Sequence, residues 1–104
     1  MTSRRNARLI SALEHAAAEF VNRESNRKSL ITVMRVELAE RDRLARIFVS
    51  VLPADQTGAA IDFLSRHKEG LSEYMKKKIQ IHAFPRIEFL PDPGMGSIEE
   101  AGQP

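Results

Sequence analysis

LITVMRVELAERDRLARIFVSVL, residues 30 to 52, is the stretch of sequence that decides the fold. Two runs rich in β-branched and other apolar residues, 30 to 38 and 44 to 52, flank a short polar connector at 39 to 43. Residues of this kind favour strands, and a short connector joins antiparallel neighbours, so the stretch predicts a β-hairpin. Pro53 cannot donate a ladder hydrogen bond and is expected to end the second strand.

Alternation along each strand assigns the side chains to the two faces of a sheet. In the first strand, one face is predicted to carry Thr32, Met34, Val36 and Leu38, and the other Ile31, Val33, Arg35 and Glu37. In the second strand, one face is apolar throughout: Ala45, Ile47, Val49 and Val51. Such a face must be buried, so we expect helices to cover it.

Apolar residues at helical spacing predict a first helix over the first 24 residues. A second helix is expected to begin near Asp55 or Thr57, either of which can cap it. Its apolar pattern breaks over residues 66 to 70, and a third helix follows. Glycine inside one continuous helix would cost about 1 kcal/mol relative to alanine, so a kink or tight turn at Gly70 is predicted.

A third strand is predicted from residue 80 to residue 90. It contains Pro85, which has no N–H for the ladder, so it should be an edge strand or a bulged one. The order α-β-β-α-α-β is that of an α+β, type II KH-like domain: a three-stranded sheet with helices packed on one face. The domain is expected to span residues 1–90. Residues 91–104, rich in proline and glycine, are predicted to be a disordered tail.

Composition narrows the class of protein. The 104 residues fit one domain, and residues 1–90 carry 16 basic and 11 acidic residues, a net charge of +5 that suits a polyanionic partner. The absence of cysteine excludes disulfides and thiolate metal sites. No apolar run is long enough for a membrane span or a signal peptide.

Catalytic chemistry finds no support in the sequence. There is no phosphate-binding glycine loop, no HExxH and no nucleophile elbow. His15, His67 and His82 fall on different predicted elements, and none has a carboxylate at metal-ligand spacing. We therefore expect no enzyme activity, no metal, no cofactor and no small-molecule substrate.

Two segments of the chain carry a family resemblance. The stretch VMRVELAERDRLARIFVSVL, residues 33 to 52, resembles the hairpin of the ribosome-binding factor A family. The stretch IHAFPRIEFLPD, residues 81 to 92, resembles the proline-containing last strand of that family. The resemblance covers roughly residues 4 to 92 and implies a KH-like RNA-binding domain.

Family members join their two central helices at a kink containing Ala-x-Gly. The preferred register matches Gly70 to the family glycine and puts Lys68 in place of the alanine. A second register places the kink on residues 67 to 69 and loses the glycine. Arginines that the family has near the start of the third helix are replaced by residues 72 to 74, Ser-Glu-Tyr.

Contacts to RNA are expected at three places: the resemblance implies the first, and clustered positive charge suggests the other two. The kink supplies Arg66, Lys68 and Gly70; the third helix supplies Lys76 and Lys77; the first helix supplies Arg4, Arg5 and Arg8. Each set of residues also has an explanation that involves no RNA. The kink charges, the lysines and the first-helix arginines could all be solvated, and lysines at a helix C-terminus complement its dipole. His67 is expected to pack rather than to bind a base.

The implied function is non-catalytic binding to the immature small ribosomal subunit and its rRNA, assisting late rRNA maturation or processing. The implied protein is a cytoplasmic monomer. Two alternatives stay open: a KH-type domain that binds another RNA, and a protein-interaction module that uses the third strand or the first helix.

Overall fold

The computed structural model describes residues 4–24, 28–79 and 83–93, and the side chains of the first helix from residue 7 to residue 23. Its elements are α1 Arg4–Glu24, β1 Leu30–Ala39, β2 Leu44–Leu52, a 3₁₀ turn Ala54–Gln56, α2 Thr57–Arg66, α3 Lys68–Lys78 and β3 Arg86–Pro91. The predicted order of three helices and three strands is confirmed.

The sheet has the order β1-β2-β3. β1 and β2 pair antiparallel through the predicted hairpin, whereas β3 lies parallel to β2 at the edge. A parallel neighbour requires a crossover connection, and α2 and α3 form it. The hairpin turn has three consecutive residues with positive φ, Glu40, Arg41 and Asp42, at 55°, 56° and 66°.

One face of the sheet is buried under the helices, as predicted. The most deeply buried large side chains come from every layer: Leu13 and Val21 of α1, Ile47 and Val49 of β2, Leu64 of α2, and Leu71 and Met75 of α3. No polar or charged residue is buried as a whole among the residues that the structure describes. Burial of apolar surface is therefore what fixes the helices to the sheet.

The predicted faces of β1 are wrong beyond Val33. The β1–β2 register shifts between Val33 and Arg35, so Met34 is an extra residue in the ladder. An extra residue inverts the alternation that follows it. Ile31 and Val36, predicted on opposite faces, are therefore both buried, with 5% and 4% of their surface exposed.

β3 begins later than predicted. It covers Arg86–Pro91, so Pro85 precedes the strand and removes no hydrogen bond from it. Residues 80 to 82 of the prediction lie outside the described residues. β3 runs past the predicted boundary at residue 90, and the Asp92 N–H donates to the Val49 carbonyl at 2.8 Å. The tail was predicted to be disordered, and its residues from 94 onward lie outside the described residues.

The other face of the sheet carries a fixed arginine. The Arg35 guanidinium lies 4.1 Å from the centre of the Phe48 ring. It pairs with Glu37 at 3.0 Å and with the Asp92 carboxylate, whose side chain is only 7% exposed. Hydrogen bonding to Glu37 is the largest cause of a raised Arg35 pKa. Arg35 is therefore held by the fold and is a poor candidate for contacting a partner.

Candidate nucleic-acid interface

The break between α2 and α3 lies at His67, not at Gly70. His67 leaves the helical conformation, with φ −105° and ψ 9°, and α3 begins at the next residue. Its Nδ1–H group donates to the Phe63 carbonyl at 2.8 Å, and the two rings lie 4.4 Å apart. This bond satisfies one of the carbonyls left over at the end of α2. The predicted packing role of His67 is confirmed.

Gly70 lies in the first turn of α3, so the kink predicted at Gly70 was placed too late in the chain. Its φ is not in the left-handed region, and a Cβ there would lie 3.8 Å from the Phe20 ring, which is ordinary contact. The Leu71 N–H donates to the His67 carbonyl at 3.0 Å, and this is the first hydrogen bond of α3. The N–H groups of residues 68 to 70 therefore precede the first intrahelical bond, as at any helix start.

The end of the sheet that carries the β1–β2 hairpin turn forms a cleft with the start of α3. It has a volume of about 340 Å³. Three cations and two carboxylates line it: Lys68, Arg46, Arg86, Glu40 and Glu88. We call it the Lys68 cleft. It exists because β2, β3 and α3 all begin at this end of the domain, beside the hairpin turn.

Lys68 is the unpaired cation of this cleft. Arg86 lies 2.6 Å from Glu40, and Arg46 lies 3.4 Å from Glu88. Lys68 is exposed and has no carboxylate partner among the described residues. An anion that enters the cleft can therefore pair with Lys68 without displacing a carboxylate.

Arg66 opens onto a different cleft from Lys68, although a single residue separates them. It lines a space between α2 and the start of β1 together with Lys28 and Phe63. The two kink cations therefore line different clefts and do not share one site.

The remaining predicted residues lie away from the turn. Lys76 and Lys77 are exposed in the last turn of α3, about 13 Å along the helix axis from its start at 1.5 Å per residue. Lys76 lies 4.0 Å from Glu73. Arg8 is exposed on α1. The backbones of Arg4 and Arg5 belong to α1, and their side chains lie outside the described part of the chain.

A hydrogen-bonded cluster joins the C-terminal part of α1 to α3. Tyr74 donates to Glu19 at 2.8 Å, and Lys78 lies 3.4 Å from the same carboxylate and 5.2 Å from the Tyr74 ring centre. The Tyr74 hydrogen bond is the largest cause of a lowered Glu19 pKa, followed by the Lys78 charge. Lys78 pairs with Glu19 of α1, so it is not a candidate for RNA.

The sequence prediction missed two cations that line the candidate clefts. Arg86 follows Pro85 on β3 and reaches the Lys68 cleft only because β3 lies parallel to β2. Lys28 shares a cleft with Arg66 across a sequence separation of nearly forty residues. No local motif marks either one, and only the tertiary arrangement brings them to the turn.

Comparison with known proteins agrees with this fold. The family model described as Ribosome-binding factor A matches residues 5–102. The chain belongs to the ribosome-binding factor A family. One relative, ribosome-binding factor A of Fervidobacterium nodosum, is 31% identical over 77 residues, which are 73% of this chain and 62% of that protein. The chain thus aligns with less than two thirds of that relative's length.

Solved structures of ribosome-binding factor A have the same architecture. The crystal structure of the Thermus thermophilus protein matches with a TM-score of 0.74 and 27% identity, over 82% of this chain and 93% of that one. A homology model of Thermus thermophilus ribosome-binding factor A, fitted into a cryo-EM map of its complex with the 30S subunit, matches with a TM-score of 0.70 and 24% identity. That match covers 82% of this chain and 92% of the other. The predicted type II KH-like class is confirmed.

The described helices and side chains were compared with the requirements of a membrane span and of a metal site. None of the described helices has the length and apolarity needed to cross a membrane. Within the described ranges, no three His, Asp or Glu side chains are grouped so that they could hold a metal ion.

Proposed function

We propose that this protein binds the immature small ribosomal subunit through its rRNA and assists late rRNA maturation or processing without catalysing a reaction. Family membership supports ribosome binding, and the Thermus thermophilus protein of the same fold has been fitted into a map of a 30S complex. The protein acts as a cytoplasmic monomer and needs no cofactor. The RNA-binding domain includes residues 1–90 and extends through the end of β3 to Asp92.

The observation that carries the proposal is the placement of Lys68. It is an exposed cation at the first turn of α3, it has no carboxylate partner among the described residues, and it lines a cleft with two more cations. Helix starts offer N–H groups and the positive end of the helix dipole to phosphates. Lys68 and the N–H groups up to Gly70 therefore form a ready contact for one phosphate of an RNA backbone.

Recognition is electrostatic and follows the shape of the RNA. Lys68 and Arg66 lie beside the turn, while Lys76, Lys77 and the arginines at the start of α1 (Arg4, Arg5 and Arg8) would extend the contact along α3 and α1. Such contacts release counterions, so the affinity should fall steeply as the salt concentration rises. They distinguish RNA sequences poorly, because phosphates carry no sequence information.

Sedimentation of tagged protein in a sucrose gradient tests the proposal. We expect the protein to migrate with free small subunits and not with translating ribosomes. Sequencing of the RNA that copurifies should show enrichment of precursor small-subunit rRNA. Enrichment of another RNA would favour a different KH-type domain, and the proposed role in ribosome maturation would then be wrong.

Charge variants test which surface makes the contact. Lys68→Glu combined with Lys77→Glu should release the protein from small subunits. A control with unchanged net charge is Lys78→Glu combined with Glu19→Lys, which exchanges the partners of one ion pair between α1 and α3. Unchanged association of the Lys68 and Lys77 variant would favour a protein contact over RNA.

A further inference from the structure

Arg66 contributes to a cleft that the Lys68 contact does not use. It lies between α2 and the start of β1 and has a volume of about 210 Å³. We call it the α2–β1 cleft. The side chains that carry its chemistry are Lys28, Ser29, Ile31, Gln56, Phe63 and Arg66.

The charges that the described residues bring to the α2–β1 cleft are all of one sign. Lys28 and Arg66 line it, and no acidic residue of the described chain does. Two cations and no carboxylate of the described residues line the α2–β1 cleft, so the cleft favours an anionic ligand.

The floor of the cleft is apolar and held in place. Ile31 is 5% exposed and belongs to the core, and the half-buried Phe63 ring is packed against His67 at 4.4 Å. Ser29 and Gln56 add groups that can donate or accept hydrogen bonds. A ligand that combines a charged group with a less polar one fits this lining. A nucleotide of RNA is such a ligand, because its phosphate can reach the cations while its ribose or base lies on the floor.

We propose that the α2–β1 cleft is a second RNA-binding site, which takes one nucleotide of the strand that also contacts Lys68. The inference rests on the proposed function, since it requires RNA at the α2–α3 turn. Only His67 separates Arg66 from Lys68, so a strand that crosses the turn reaches both clefts. The RNA path therefore crosses the C-terminal end of α2 instead of following the start of α3 alone.

Lys28→Gln is the decisive variant, because Lys28 lies in the new cleft alone. The probe is a fluorescein-labelled single-stranded oligoribonucleotide, titrated over a series of KCl concentrations. For single strands, each phosphate contact contributes about 0.7 to the slope of log K against log salt, so losing one should weaken binding about fivefold near 0.1 M salt. Lys28→Gln should show this loss, and Lys28→Gln combined with Arg66→Gln a loss of about 25-fold.

Arg41→Gln is the matched control. Arg41 is also an exposed cation, but it lies in the hairpin turn and lines neither cleft. Its loss removes the same charge and should leave the slope unchanged. Circular dichroism and urea unfolding should show that all variants fold like the wild type, because the replaced side chains are exposed.

Three results would overturn the inference in distinguishable ways. If Lys68→Gln weakens binding but Lys28→Gln behaves like Arg41→Gln, RNA does not enter the α2–β1 cleft and the proposed function stands. If Lys28→Gln weakens binding to purified small subunits but not to the oligoribonucleotide, the cleft receives a protein. If the wild type binds neither, the proposed function fails and the second site fails with it.

Discussion

Replacing Gly70 with alanine should stabilise the protein. Gly70 is the third residue of α3 and has ordinary helical backbone, and a new Cβ would meet the Phe20 ring at 3.8 Å, without a clash. Glycine inside a helix costs about 0.5–1 kcal/mol relative to alanine, mainly through the entropy of the unfolded chain. We expect a gain of about 0.5–1 kcal/mol in the free energy of unfolding, or roughly 2–8 °C in Tm for a domain of this size.

Urea unfolding followed by circular dichroism measures the gain. The matched control is Gly58→Ala, in the first turn of α2, where a Cβ meets nothing within 4 Å. Both variants gain the backbone contribution, and only Gly70→Ala adds a contact with Phe20. The gain at residue 70 should therefore equal or exceed the gain at residue 58.

The same variant separates stability from RNA contact. Alanine keeps the backbone N–H of residue 70, and its methyl group would point toward α1 rather than into the Lys68 cleft. Affinity for the oligoribonucleotide should therefore stay the same. A loss of stability would refute the reasoning, because it would show that residue 70 has no room for a methyl group or does not have helical backbone.

Three further predictions concern stability. Leu71→Ala should lower the free energy of unfolding by about 2–5 kcal/mol in urea, because Leu71 is fully buried; a loss below about 1 kcal/mol would contradict this burial. Arg41→Gly should raise the free energy of unfolding by up to about 1 kcal/mol, because its φ of 56° is costly for a side chain; an unchanged urea midpoint would argue against the cost. The pKa of Glu19 is lowered from 4.5, so the ionised carboxylate stabilises the folded state. This stabilisation is present above pH 4.5 and is lost as the pH falls through the lower pKa of the folded state. Thermal unfolding across this range should show a shallower acid loss for Glu19→Gln than for the wild type, and identical profiles would show that the Tyr74 and Lys78 contacts contribute nothing.

The candidate interface was only partly predictable from the sequence. A break between α2 and α3 was visible because the apolar pattern stops at Arg66, but the pattern does not say which residue leaves the helix. Glycine was the obvious choice from propensity. His67 leaves it instead, because its ring can donate to the Phe63 carbonyl and pack on the Phe63 ring. That choice sends Arg66 and Lys68 into different clefts, which no spacing rule reveals.

The sequence by itself determined the elements, their order and the core positions of α1 and β2. Side-chain periodicity depends on local backbone geometry, so α1, the hairpin and the face of Ile47 and Val49 could be assigned from residue spacing. Tertiary structure alone decided the bulge at Met34, the start of β3 after Pro85 and the two clefts beside His67. Each depends on how distant segments fit together, and close packing between such segments leaves no local pattern in the chain.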